Sequence, residues 1–298
     1  YPATSDRMCI SGTGTRRKRA PGGPSETFSF GQTRLILPED MIDAQPIQTG
    51  GADAREAPRV PAGHRCYVVG DIHGRADLLD RMHEMIVADR DAAPPRAQPQ
   101  RNVIVYLGDY VDRGPRSFEV VDGLVHAPLG GFESVFLKGN HEDLLLAFLA
   151  DGSGGDVWMM NGGAATLLSY GVDVPGAFMD ADSLGAARRR FRETVPADHL
   201  AFFQSLRTYH VAGDYLFVHA GVMPGVALED QAEFDLLWIR EDFLYHDSPS
   251  DKVVVHGHSI SPASEVRAGR IGIDTGAWHS GCLTCLVLED ETRRFLQT

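Results

Sequence analysis

The chain has 298 residues, of which 43% are hydrophobic, enough to fill one large domain or two ordinary ones. Its 28 basic and 41 acidic side chains give a formal net charge of −13, which argues against general nucleic-acid binding, because that needs many cationic contacts to phosphate. Cys9, Cys66, Cys282 and Cys285 are too scattered for a disulfide framework, and no apolar run has the length to span a bilayer.

Residues 1–62 are rich in Gly, Pro, Ser and Thr and read as a flexible, mostly irregular leader with room for one short docked segment. Residues 1–60 carry a net charge of +1, so the rest of the chain carries −14. The cluster Arg16-Arg17-Lys18-Arg19 has the start of a twin-arginine export signal, but no hydrophobic segment follows it. It reads as a solvated tail, and a reduced, cytoplasmic protein is expected.

From Arg65 onward, short apolar runs each lead into a polar motif. Cys66 to Val69 leads to Asp71, Val103 to Leu107 leads to Asp109, and Val135 to Leu137 stops just before Asn140. Leu216 to Val218 ends at His219, and Val253 to Val255 runs into His256 and His258. Continuous Val/Ile/Leu runs of this length suit strands buried on both faces. Between them, Leu78, Leu79, Met82, Met85 and Ile86 recur at helical spacing, and Leu144, Leu145 and Phe148 begin a second helix. Gly152 to Gly155 reads as a mobile loop. Further helices are predicted after Asn161-Gly162-Gly163, over Ala186–Arg192 and over Pro196–Leu206, forming one wall of a groove. Cys282 to Leu288 reads as a strand, which makes Cys282-x-x-Cys285 a pair of small apolar residues rather than a zinc or redox motif. Strands alternating with helices, with ligand-type residues where strands stop, is how α/β folds place their sites.

Five motifs stand at those strand ends: GDIHG at 70–74, GDYVDRG at 108–114, GNHE at 139–142, HAG at 219–221 and HGHS at 256–259. Asp71 and His73 are two apart on a strand-to-loop exit, so both can face one ion, with Gly74 permitting a tight turn. Asp109 could bridge two ions through its two oxygens. Asn140 offers a neutral oxygen, and His219 and His258 offer imidazoles. Mixed Asp/His/Asn ligation suits Mn²⁺, Fe or Zn²⁺ better than Ca²⁺.

The order and content of these motifs, over about residues 65–288, resemble the phosphoprotein phosphatase family, a branch of the calcineurin-like metallophosphoesterases, and its bacterial and phage-type serine/threonine phosphatases in particular. The resemblance implies an α/β fold, a central β-sandwich of two mixed sheets flanked by α-helices, in one catalytic domain over 63–298. It implies two divalent metal ions, Mn²⁺ first, with Fe or Zn²⁺ as alternatives. One would take Asp71, His73 and Asp109; the other would take Asp109, Asn140, His219 and His258. Such a pair generates a bridging hydroxide for in-line attack on phosphorus. Arg113 and Arg240, the latter in Leu237-Trp238-Ile239-Arg240-Glu241, are the implied phosphoryl clamps. His141 is the implied general acid and Asp112 its partner. Ile273 to Ala277 matches a segment near the site and is followed by Trp278 and His279, which border the pocket, with core packing the alternative for Trp278, and His256 supports the site or the core.

The implied substrate is a phosphoprotein or phosphopeptide carrying phosphoserine or phosphothreonine, with phosphotyrosine also accepted by bacterial members, and no nucleic acid or membrane partner. Symmetrical diadenosine tetraphosphatases share Gly114-Pro115-Arg116-Ser117 but usually lack an acid at the position of Asp112. Dinucleoside polyphosphate hydrolysis is therefore the alternative. The complete ligand set disfavours a catalytically silent module, and the acidic body disfavours a nuclease-type phosphodiesterase.

Overall fold

The computed structural model describes residues 57–94, 100–174, 180–247 and 250–298. Residues 1–56, including the basic cluster at 16–19, lie outside the described residues. Pro58, Arg59 and Val60, at the end of the expected leader, lie against the body. The Pro58 carbonyl accepts from Tyr215 Oη at 3.2 Å, the Arg59 carbonyl accepts from the Asp214 amide at 2.9 Å, and Val60 is buried.

In chain order, β1 (His64–Val69) leads into α1 (Ala76–Ala92), β2 (Arg101–Tyr106) into α2 (Ser117–His126), and β3 (Glu133–Phe136) into α3 (Asn140–Ala150). Next come α4 (Gly155–Met160), α5 (Gly163–Ser169), α6 (Ala181–Thr194) and α7 (Ala197–Ser205). The second half holds β4 (Tyr209–Ala212), β5 (Tyr215–Val218), α8 (Glu233–Trp238), α9 (Glu241–Leu244), β6 (Val253–His256), β7 (Glu265–Val266) and β8 (Arg270–Gly272). It closes with α10 (Ala277–Ser280), β9 (Thr284–Glu289) and β10 (Thr292–Gln297).

Two five-stranded mixed sheets result, ordered β10-β9-β1-β2-β3 and β4-β5-β6-β8-β7. In the first, β1 pairs in parallel with β2 and β2 with β3, while β9 runs antiparallel to β1. In the second, β5, β6 and β8 are parallel. Because side chains alternate along a strand, Cys66, Val68, Val103 and Val105 point into the sandwich, where they meet Phe217, Val255 and Ile271 of the other sheet. Their neighbours Tyr67, Val69, Ile104 and Tyr106 point outward beneath α1, α2 and α3. Leu216, Val218 and Val254 of the second sheet are covered by Leu236 and Phe243. Both faces of the central strands are therefore buried, which is why the sequence reads there as unbroken apolar runs.

Two expectations are corrected. Gly152–Gly155 is not all loop: Gly154 takes a left-handed φ of 65° and Gly155 opens α4. That six-residue helix exists because Trp158 is buried between Phe148 and Phe191, with ring centroids 4.8 and 6.0 Å away, which are contacts no local pattern reveals. Likewise Cys282 lies in the irregular segment before β9 and not in the strand. Cys66 and Cys285 are buried free thiols, and burial pushes Cys66 up to about 12. No helix among the described residues is long and apolar enough to cross a membrane.

His83, on α1, places Nε2 2.8 Å from the Tyr106 hydroxyl. Burial lowers its imidazole from 6.5 to about 4, against the pull of Asp80. A base held below its unfolded pKa contributes stability above pH 6.5 that is lost as pH falls toward 4. Denaturant midpoints should therefore drop less steeply between pH 7 and pH 4.5 in His83→Gln than in the wild type. Parallel curves would contradict this.

Candidate metal centre

Parallel strands place their carboxyl ends on one edge of a sheet, and here the loops leaving β1, β2 and β3 meet those leaving β5 and β6. Among the described residues, six non-glycines have positive φ, and five of them are here: His73 (48°), Asp109 (52°), Asp112 (70°), Arg113 (66°) and His258 (60°). Such conformations cost roughly 1–3 kcal/mol each where tertiary contacts must enforce them, and their clustering marks a site rather than a turn preference. The Asp109 carbonyl ties two loops together, accepting from the Ile72 and His73 amides at 3.1 and 2.8 Å.

Asp71, His73, Asp109, Asn140, His219 and His258 are all buried in this cluster. His73 donates Nδ1–H to the Val111 carbonyl (2.8 Å), which leaves the Nε2 lone pair 3.4 Å from Asp109 Oδ2. His219 likewise donates Nδ1–H to the Leu107 carbonyl (2.9 Å). Its Nε2 then faces Asn140 Oδ1 at 2.9 Å and Asp109 Oδ1 at 3.5 Å. Burial lowers the His219 imidazole despite Asp109, so the Nε2 lone pair faces two oxygens, of which Asp109 Oδ1 accepts from the His141 amide (3.2 Å) and Asn140 Oδ1 lies 2.9 Å from His258 Nδ1. That arrangement is repulsive unless a cation sits among them. Asp71 Oδ1 and His258 Nε2 are buried polar atoms with no hydrogen-bond partner, while Asp71 Oδ2 accepts from the His258 amide at 3.0 Å. The donors therefore fit divalent cations, with Asp109 common to two groups, His73/Asp109/His141 and Asp109/His219/His258.

Two glycines make the packing possible. A Cβ on Gly139 would meet Asp109 Oδ1 at 2.0 Å, and one on Gly257 would meet Asp71 Oδ1 at 2.0 Å. The electrostatics follow from this crowding. Burial, with Asp274 and Asp109 close by, pushes the Asp71 carboxyl well above its usual value. Burial also works to raise Asp109, but the imidazoles of His219, His141, His73 and His258 together hold it well below the usual carboxylate range.

His141 and Asp112 form a fully buried pair, with Nδ1 2.6 Å from Oδ2. Burial alone would depress the His141 imidazole, but the Asp109 and Asp112 carboxylates outweigh it and raise it. Its Nε2 points at the cluster, 3.7 Å from Asp109 Oδ2. Arg113 donates to His73 Nε2 at 2.9 Å and to His141 Nε2 at 3.0 Å. Arg240 sits on the exposed rim, donating to the His258 carbonyl (3.4 Å) and to Ser259 Oγ (3.3 Å). Trp278 is 40% exposed and stacks near Arg113, 5.8 Å from ring centroid to guanidinium carbon, so it borders the site and is not core. His256 is buried against Phe243, with Nε2 3.4 Å from the Arg270 guanidinium.

Several residues given no individual role above emerge here. Glu142 accepts from the amides of Asp109 and Gly139 (2.9 Å each) and Tyr110 (2.8 Å), so it fixes the loop that carries Asp109. Its place at the end of GNHE, three residues into α3, was the available signal. Trp158 Nε1 donates to Asp112 Oδ2 at 2.8 Å and Thr166 Oγ1 donates to Oδ1 at 2.6 Å. Neither had any sequence signal, because both come from helices remote in the chain. Asp274 is buried and faces Asp71, and burial pushes it up to about 6. Changing Trp158→Phe should keep the packing yet lower kcat about tenfold, the equivalent of a charge-assisted hydrogen bond of ~1.5 kcal/mol. Unchanged turnover would mean that Asp112 needs no such support.

The calcineurin-like phosphoesterase profile matches residues 64–275, most of the chain and every strand end described above except the last two strands'. The chain belongs to this family. It is 37% identical over 98 residues to serine/threonine-protein phosphatase 2 of Escherichia coli (strain K12), a match covering 33% of this chain and 38% of that protein. It thus spans well under two thirds of that relative's length. It is 24% identical over 243 residues to the asymmetrical bis(5'-nucleosyl)-tetraphosphatase PrpE of Bacillus thuringiensis (strain Al Hakam), covering 74% and 88% of the two chains. A crystal structure provisionally named a diadenosine tetraphosphatase shares the fold, with a TM-score of 0.53 at 19% identity over 81% of this chain and 98% of that one. The family membership and the pair of five-stranded mixed sheets are those that the sequence motifs implied.

Proposed function

We propose that the protein hydrolyses phosphomonoesters on phosphoproteins, chiefly at serine and threonine. Asp71, His73 and Asp109 would hold one divalent ion, and Asp109, Asn140, His219 and His258 a second, Mn²⁺ in the first instance. When bound, the ions supply Lewis acidity and acidify water. The observation that carries the substrate reading is the buried Asp112–His141 pair at 2.6 Å, a dyad suited to protonating an alkoxide leaving group. Asp112 orients the ring by accepting from Nδ1, so any proton for the leaving group resides on Nε2. Arg113 donates to that same nitrogen, and both cannot occupy it. A phosphoryl group that recruits the guanidinium would free Nε2 to take up its proton, coupling substrate binding to readiness of the acid. Arg240, on the rim beside His258 and Ser259, would clamp another phosphoryl oxygen.

The second reading is dinucleoside tetraphosphate hydrolysis, favoured by the longer coverage of the PrpE match. The free thiols Cys66 and Cys285 support a reduced, cytoplasmic setting. The deciding experiment supplies Mn²⁺-loaded enzyme with a phosphoserine peptide, a phosphotyrosine peptide and diadenosine tetraphosphate. A higher kcat/KM on the phosphoserine peptide is expected; preference for the dinucleotide would overturn the first reading.

A further inference from the structure

A second group of metal-type donors lies outside the centre described above. Asp122 and His126 are one turn apart on the last turns of α2, and Asp198 and His199 stand in the first turn of α7. Donor atoms of Asp122, His126 and His199 all lie within 4.8 Å of one another. Asp122 Oδ1 is 3.2 Å from His126 Nδ1 and 3.5 Å from His199 Nε2. A tetrahedral ion with bonds of about 2.0–2.1 Å sets its ligands about 3.3 Å apart, which these spacings straddle.

Each imidazole has its other nitrogen engaged. His126 Nε2 is 2.9 Å from Asp198 Oδ2, and His199 Nδ1 is 2.9 Å from the Tyr170 hydroxyl. In the tautomer that gives Nε2–H to Asp198, His126 keeps a lone pair on Nδ1, which lies 3.2 Å from both Oδ1 and the backbone carbonyl of Asp122. In the tautomer that gives Nδ1–H to the Tyr170 oxygen, the His199 Nε2 lone pair faces Asp122 Oδ1. Carboxylate or hydroxyl partners on the far nitrogen are how proteins fix the tautomer of a ligating histidine. The independent sign of a ligand is His199 itself. Its side chain is 0% exposed, yet Nε2 makes no hydrogen bond and is aimed at the Asp122 carboxylate. Ion pairing alone gives that buried nitrogen only the long 3.5 Å contact to Asp122 Oδ1.

We propose that Asp122, His126 and His199 form a third metal site that takes a Zn²⁺-like divalent cation, with Asp198 and Tyr170 as positioning residues and solvent at the fourth position. Two nitrogens and one carboxylate, open on the side where Asp122 and His126 are about half exposed, suit such an ion. The ion would pin the end of α2 to the start of α7. None of its residues belongs to the dinuclear centre, so the site stands or falls separately from the function proposed above.

The test counts metal retained by the full chain after Zn²⁺ loading and desalting through a weak chelator. Wild type should hold one more equivalent than His126→Ala and than Asp122→Asn, two exposed positions whose fold is checked by circular dichroism. In an Asp109→Asn background, which impairs the dinuclear centre, added Co²⁺ should still give the visible absorption of a four-coordinate ion, and adding H126A should remove it. Equal metal content in wild type and both single variants would overturn the proposal, leaving ion pairs only. So would a Co²⁺ band that survives H126A in the Asp109→Asn background.

Discussion

Changing His141→Gln is expected to lower turnover by about 10²–10⁴-fold, the usual worth of a general acid, while bound metal stays near the wild-type level. The imidazole lies wholly buried, with Nδ1 held 2.6 Å from Asp112 Oδ2 and Nε2 aimed into the cluster. Glutamine fills the space but has no proton to deliver at neutral pH. Asp112→Asn should follow the same direction, because Oδ2 accepts from both His141 and Trp158, and an amide nitrogen placed there would meet two donors. Turnover and metal content, measured on the same samples, separate the roles. If metal falls in step with activity, His141 is a ligand and not an acid.

Asp109→Asn is expected to remove the link between the two ion sites and to cost at least about 100-fold in metal affinity, more than loss of a supporting partner usually does. Asp109 shares Oδ2 with His73 and His141 and Oδ1 with His219, so no other carboxylate can replace it. Its effect should also show in stability. At ion concentrations about 100 times the dissociation constant, binding stabilises the fold by ~2.7 kcal/mol, or roughly 5–10 °C for a domain of this size. Chelation should lower the wild-type melt by that amount and leave the Asp109→Asn melt nearly unmoved. Equal responses to chelator in both proteins would place the ions elsewhere.

Much of the centre was legible because its residues sit at strand ends inside short motifs. Asp71, His73, Asp109, Asn140, His219 and His258 were each marked by an apolar run that stopped, and the structure brings all six together. The supports of Asp112 were not legible. Trp158 and Thr166 arrive from helices 46 and 54 residues away in sequence, and neither helix is long enough to carry a periodic signal. The Gly152–Gly155 stretch misled for the same reason, since a glycine-rich turn looks like a loop until Trp158 is seen packed beneath it. Arg113 was marked as a clamp for phosphate, but its bond to His141 Nε2, which joins the clamp to the acid, depended on where two loops lie.

The sequence by itself determined the buried strands, the order of the polar motifs and the kinds of ligand they supply, because alternation and strand termination are local consequences of backbone geometry. Only the tertiary structure decided which lone pairs face one another, which φ values are forced positive, and that Asp122, His126 and His199 meet between α2 and α7. Those features depend on packing between segments far apart in the chain, and short-range periodicity carries no record of such contacts.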